Sequence, residues 1–139
     1  MEVTRIIHPI GQGAFYTESI KTNDNLYNVV YDCGSGNYKY TPKRLKQDIA
    51  SFYNPDDVID LLFISHFDND HINGIRELKK RTSKIRNIVV PLIEENDFWY
   101  YQIENPSFET FYRSLSEIAD SAVYRVKPYN EDEEENNTP

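Results

Sequence analysis

The run Leu61-Leu62-Phe63-Ile64 is continuously apolar and breaks at Ser65 into His66-Phe67-Asp68-Asn69-Asp70-His71. A continuous rather than alternating apolar run reads as a strand buried on both faces. A second such run, Ile85 to Pro91, lies one helix-length further on, with Ile72, Ile75 and Leu78 at helical spacing between them. Strand, helix, strand in that order implies a parallel pair joined by a right-handed crossover. The chain must therefore build a sheet with a parallel portion covered by helices. Whatever follows Ser65 then sits at the C-terminal end of a central strand.

Four potential metal ligands follow Ser65 within six residues: His66, Asp68, Asp70 and His71. The first three alternate, so an extended turn is expected to project them to one side as a preformed cluster. Imidazole nitrogen together with carboxylate oxygen suits a divalent ion that stays partly open to water or substrate. Two oxygen donors among four shift the expectation from zinc alone towards zinc or manganese. An EF-hand loop fails on spacing, because counting from Asp68 puts Asn73 where glycine is required and Lys79 at the twelfth position. The plain structural alternative is a helix cap facing solvent. It leaves two carboxylates and two imidazoles crowded together without a cation.

The His66-x-Asp68-x-Asp70-His71 run resembles the metallo-β-lactamase superfamily signature His-x-His-x-Asp-His, with Asp68 in place of the second His. Within that superfamily it is similar to the metallo-hydrolase domain of competence DNA-uptake channel proteins, which carry Ser-His-x-Asp-x-Asp-His-x-Gly-Gly. Asn73 here replaces the first Gly. Gly11-Gln12-Gly13 before a strand and Asp32-Cys33-Gly34 after one fit the same family in the same order. The resemblance implies that His66, Asp68, Asp70 and His71 bind metal, that Asp70 also orients the attacking water, and that Asp32 lies beneath the site and orients a ligand. It implies an α/β (α+β) αββα sandwich with a mixed β-sheet and covering helices, of which this chain spans about the first half. It also implies two ions in the complete protein, held by a third His, a bridging Asp and a final His that are not in this half. The only histidines here are His8, His66 and His71. The remaining ligands are then expected from downstream sequence or from a partner chain.

Elsewhere the chain reads simply. Val3 to His8 is an opening strand closed by Pro9 and the Gly11-Gln12-Gly13 turn. Ala14 to Ile20 and Leu26 to Asp32, across Thr22-Asn23-Asp24-Asn25, form a hairpin. Thr41-Pro42 caps a helix whose stripe is Leu45, Ile49, Phe52 and Tyr53. Asp97-Phe98-Trp99-Tyr100-Tyr101 is a loop that is more often core than the wall of a cleft. Asn105-Pro106 opens a last helix with Phe108, Phe111, Tyr112, Leu115, Ile118, Ala119 and Ala122 on one face, followed by a strand from Val123 to Val126. Residues 1–129 read as the N-terminal portion of one domain and 130–139 as a disordered acidic tail.

Composition supports a globular chain, with 39% hydrophobic and 14% aromatic residues in 139. No run of about 18 apolar residues and no signal peptide is present, and the single cysteine, Cys33, fits a reducing compartment, so a cytoplasmic location is expected. His8 and Cys33 read as structural. The formal charge of −8 argues against a generally sticky nucleic-acid binder, yet five negatives sit in Glu131-Asp132-Glu133-Glu134-Glu135. Arg76, Lys79, Lys80, Arg81, Lys84 and Arg86, opposed only by Glu77, follow the donor cluster. Arg76, Lys79 and Lys80 are therefore expected to bind substrate, a phosphate-bearing nucleic acid or nucleotide, unless they are a solvated helix face. The expected function is a metal-dependent hydrolase, acting on a phosphodiester or related ester through a metal-activated water. The alternative is a catalytically inactive or truncated binding or assembly module that keeps the cluster as a remnant.

Overall fold

A computed structural model describes residues 1–36 and 41–127. Strands β1 (Glu2–Ile7), β2 (Phe15–Lys21) and β3 (Leu26–Cys33) come first, then helix α1 (Thr41–Phe52) and β4 (Val58–Phe63). Helices α2 (Asn69–Ile72) and α3 (Ile75–Arg81) lead into β5 (Lys84–Pro91), and α4 (Phe98–Glu104) and α5 (Phe108–Ile118) into β6 (Ala122–Val126). The six strands lie in chain order in one sheet, antiparallel from β1 to β3 and parallel from β3 to β6. This is the mixed α/β sheet with covering helices that the sequence implied. The antiparallel part needs no crossover: residues 8–14 loop from β1 to β2, and a tight turn in which Thr22 Oγ1 accepts the Asn25 amide at 3.0 Å joins β2 to β3. Each parallel step needs a crossover, and helices supply it.

One side of the sheet carries the core. Val30, Leu62, Ile88 and Val90 are buried there against Leu45 and Ile49 of α1, Ile75 and Leu78 of α3, and Phe108 and Leu115 of α5. The expectation that the central strands are buried on both faces is corrected here. Leu61 and Phe63 of β4 and Val89 of β5 point away from the helices and are only half buried.

Two further expectations change. The segment from Asp97 to Tyr101 is helical rather than a loop. Phe98 and Tyr101 pack against the core, while Trp99 and Tyr100 stay exposed. The helix expected to run from Ile72 through Leu78 is split at Asn73-Gly74. A Cβ on Gly74 would come within 2.8 Å of the Cys33 carbonyl oxygen and 2.7 Å of Leu45 Cδ2, so only glycine lets the chain pass. The side chains of the Thr41-Pro42 cap and the acidic tail lie outside the described residues. His8 is buried, bonded to Thr17 Oγ1 at 3.0 Å and stacked on Phe15. No described helix is long and apolar enough to cross a membrane.

Candidate metal centre

The parallel pairing of β3 with β4 brings Asp32 beneath the segment that leaves β4. Asp32 is buried and holds a left-handed backbone conformation, φ 51°, which short polar side chains tolerate best. Its carboxylate accepts the Ser65 amide at 2.8 Å and the Ser65 hydroxyl at 2.6 Å. The same Oδ2 lies 2.9 Å from His71 Nδ1. As an acceptor it places the His71 ring proton on Nδ1 and leaves Nε2 as a lone-pair donor. The Ser65 hydroxyl has one hydrogen and gives it to Asp32. Towards His66 Nδ1, 2.9 Å away, it therefore accepts. One buried carboxylate thus sets both imidazoles, directly and through a hydroxyl, so that each presents Nε2.

Two glycine-bearing loops clamp the backbone that carries Asp70 and His71. An added Cβ would fall 2.4 Å from the Asp70 carbonyl oxygen at Gly13, whose φ is 108°, and 2.5 Å from the same atom at Gly34. The Ala14 amide reaches that oxygen at 3.3 Å. Asn73, which stands where the family motif has Gly, returns both hydrogen bonds of the Ser35 peptide at 3.1 and 2.9 Å. Cys33 is buried, and burial first and then the Asp32 charge push its thiol up, so it remains a protonated structural residue.

The four donors do not form the single extended cluster expected from their alternation. Asp68 is in the extended residue before α2, whereas Asp70 and His71 are already helical, so the period of two ends at Asn69. The donors fall into two pairs. His66 Nε2 lies 3.4 Å from Asp68 Oδ2, and His71 Nε2 lies 4.0 Å from Asp70 Oδ1. The two rings pack with centroids 3.8 Å apart. Among the described residues no group of three or more His, Cys, Asp or Glu side chains is gathered closely enough to hold an ion. The donor set fits a divalent cation in kind, two imidazoles with free Nε2 and two carboxylates, and is open in arrangement.

Asp68, Asn69 and Asp70 line a cavity of about 370 Å³ whose other wall is Gln12, Gly36 and the α4 side, Tyr100, Tyr101, Glu104 and Asn105. Burial first, then the charges of Asp68 and Asp97, raise the Tyr101 phenol, so it stays an O–H donor. Ser65 and Asn73 enter the sequence reading only as positions of the quoted motif, and Tyr101 only within the Asp97 to Tyr101 segment, which reads as core more often than cleft wall; Tyr100 and Tyr101 in fact line this cavity.

The expected substrate-binding residues are placed elsewhere. Arg76 donates to Ser114 Oγ of α5 at 3.0 Å, and Lys79 is paired with Asp120. That Lys79 hydrogen bond is the main cause holding the Asp120 carboxyl below its ordinary value. Asp120 also accepts the amide of Ile85, at the start of β5, while the donor cluster follows the end of β4 beside Val89. Four strand residues separate Ile85 from Val89, or about 13 Å. Lys80 is exposed on the same C-terminal end of α3. Among the described residues no Lys or Arg lines the cavity at Asp68 and Asp70. Lys79 is therefore directed away from the donor cluster, towards the opposite end of the sheet, and Lys80 follows it on α3, while Arg76 in the first turn of α3 is engaged by Ser114.

No curated protein and no solved structure matches the chain significantly. The family model of the metallo-beta-lactamase superfamily matches residues 22–135, which takes in Asp32, the donor cluster and four of the six strands, β3 to β6. The chain belongs to the metallo-beta-lactamase superfamily, and its mixed sheet with helices on one side is consistent with one half of that fold.

Proposed function

We propose that this chain supplies part of the site of a divalent-metal-dependent hydrolase, with His66, Asp68, Asp70 and His71 as the ligands. The observation that carries the reading is the Asp32 carboxylate, whose contacts to His71 and, through Ser65, to His66 leave both Nε2 atoms free. A divalent ion at these residues supplies a polarised water of lowered pKa. Asp32 holds the His71 proton on Nδ1, Ser65 passes the same constraint to His66, and Asp70 is available to orient a water. Tyr101 offers its O–H across the cavity from Asp68.

The motif's likeness to the DNA-uptake metallo-hydrolases supports a phosphodiester or related ester as substrate. The described cavity wall offers hydrogen-bonding side chains such as Gln12 and Tyr101, with no Lys or Arg among its described residues. A second reading, an assembly module that keeps a degenerate donor set, is favoured by the division of the donors into two pairs. Titration of the 139-residue chain with zinc and with manganese separates the two. The hydrolase reading expects a bound divalent ion that is lost in both His66→Ala and Asp70→Ala while the far-ultraviolet spectrum is kept. Absence of binding by the wild-type chain, or binding untouched by both substitutions, overturns it.

A further inference from the structure

We propose that the Asn105 amide, with the Tyr101 hydroxyl beside it, holds the carbonyl or phosphoryl oxygen of the ester bound at the donor cluster. The inference rests on the hydrolase reading, whose substrate it anchors. Asn105 borders the same cavity of about 370 Å³ as Asp68 and Asp70, on its other wall. The residue is buried, 9% exposed, and its backbone is tied on both sides. Its amide donates to the Tyr101 carbonyl at 2.8 Å, and its carbonyl accepts the Phe108 amide at 2.9 Å.

The side chain is only half used. Its Oδ1 accepts the Ser107 amide at 3.1 Å, which fixes the orientation of the side-chain amide and turns Nδ2 the other way. Nδ2 donates to nothing among the described residues, and it is not sealed in either. The one fully enclosed side-chain polar atom without a partner among those residues is Asp48 Oδ2, so Asn105 Nδ2 opens onto space, and the space that Asn105 borders is this cavity. An Asp would close the turn to Ser107 as well as Asn does. What the amide alone adds is a hydrogen-bond donor. Left unpaired on a buried residue, such a donor costs stability unless a ligand takes it.

Tyr101 completes the pair. It stands one helical turn before Asn105, where side chains four apart are neighbours. Its ring is stacked on Phe108 with centroids 5.0 Å apart, and its hydroxyl bonds nothing among the described residues. Phe67, which stands between His66 and Asp68, packs edge-on against Tyr101, Phe108 and Tyr112. The wall that carries Asn105 and the segment that carries the proposed metal ligands are thus fixed on one aromatic cluster. Hydrogen-bond donors held in place before a substrate arrives stabilise charge that develops on its oxygen without having to reorganise. Both donors here are neutral, so they serve a carbonyl oxygen as readily as a phosphoryl one.

Nuclear magnetic resonance titration of the isotope-labelled 139-residue chain, with zinc present, tests the proposal. The probes are methyl benzoate, a carbonyl ester, and methyl phenyl phosphate, a phosphodiester. The side-chain amide protons of Asn105 are expected to move downfield with at least one of them, and the ester that moves them assigns the oxygen as carbonyl or phosphoryl. Asn105→Asp keeps the Ser107 contact and loses the hydrogen-bond donor, whereas Tyr101→Phe loses only the hydroxyl. Each is expected to weaken that ester about 2- to 10-fold, as loss of one neutral hydrogen bond does, with the melting temperature kept. The charge added in Asn105→Asp itself repels an anion, so Tyr101→Phe carries the comparison for the phosphodiester. Amide protons unmoved by both esters, or both variants binding as the wild type does, overturns the proposal. Zinc uptake by the wild-type chain is measured separately. Amide protons unmoved where zinc is taken up strike this inference alone, and an ester held at Asn105 where zinc is refused strikes the hydrolase reading and leaves the contact standing.

Discussion

Replacing Asp32 by Asn exchanges a carboxylate for a group of the same shape that donates as well as accepts. The left-handed backbone at φ 51° is one that Asn also tolerates, so the substitution keeps the local fold. The amide oxygen can still take the Ser65 N–H that Asp32 holds at 2.8 Å. The amide nitrogen then meets the Ser65 hydroxyl and His71 Nδ1, which the carboxylate held at 2.6 and 2.9 Å. His71 must accept at Nδ1, its proton moves to Nε2, and the atom proposed to bind metal is blocked. Loss of such an orienting partner costs about 10- to 100-fold in metal affinity, or roughly 1.4 to 2.7 kcal/mol. Fold stability falls less, by about 1 kcal/mol, because charge-assisted hydrogen bonds are replaced by neutral ones. Competition for zinc against a chromophoric chelator reads the affinity, and nitrogen chemical shifts of His71 read the tautomer. Full affinity in Asp32→Asn, or lost affinity with the tautomer unchanged, refutes the reasoning.

The other predictions test what holds the site in place. Gly34→Ala is expected to lower the melting temperature sharply, because its Cβ meets backbone atoms of Asp70 and His71 at 2.5 to 2.6 Å. Gly36→Ala, whose nearest neighbour is the Asp70 side chain at 3.1 Å, is expected to cost no more than about 1 kcal/mol. Equal melting temperatures for the two variants refute that picture of the clamp. His8 is held below its ordinary value by burial, with Asp48 opposing as the lesser effect. Its contribution is therefore complete above the unfolded-state value of about 6.5 and is lost as pH falls through that value towards the lower folded one. Thermal melts between neutral and mildly acidic pH are expected to fall more steeply for wild type than for His8→Gln.

The strands and helices were legible because their signals are local. The Leu45, Ile49 stripe, the Phe108 to Ile118 stripe and the apolar run of β5 each declare a period within one element. The arrangement of the donors was not legible, because it is set by residues far apart in sequence. Asp32 reaches His71 across 39 residues, and the turn into α2 divides the donors into pairs. The partners of the basic run were hidden for the same reason. Lys79 and Asp120 are 41 residues apart, and nothing near Lys79 in the sequence shows that its charge is spent on the far end of the sheet. Leu61 and Phe63 spoke for burial on both faces, which is correct for their chemistry. Only the path of the helices shows that one face is left uncovered.

The uncovered face and the open donor set meet at the same place in the chain. Phe63 ends β4 on that face, and His66 stands three residues further on. Whatever lies against that face therefore lies beside the donor cluster. If it also brings a ligand, packing and metal binding are linked, and each must strengthen the other by the same factor. If it brings none, zinc affinity is the same whether or not that face is covered. The two pairs of donors then remain the whole of the site, which is the condition under which the assembly reading outweighs the hydrolase.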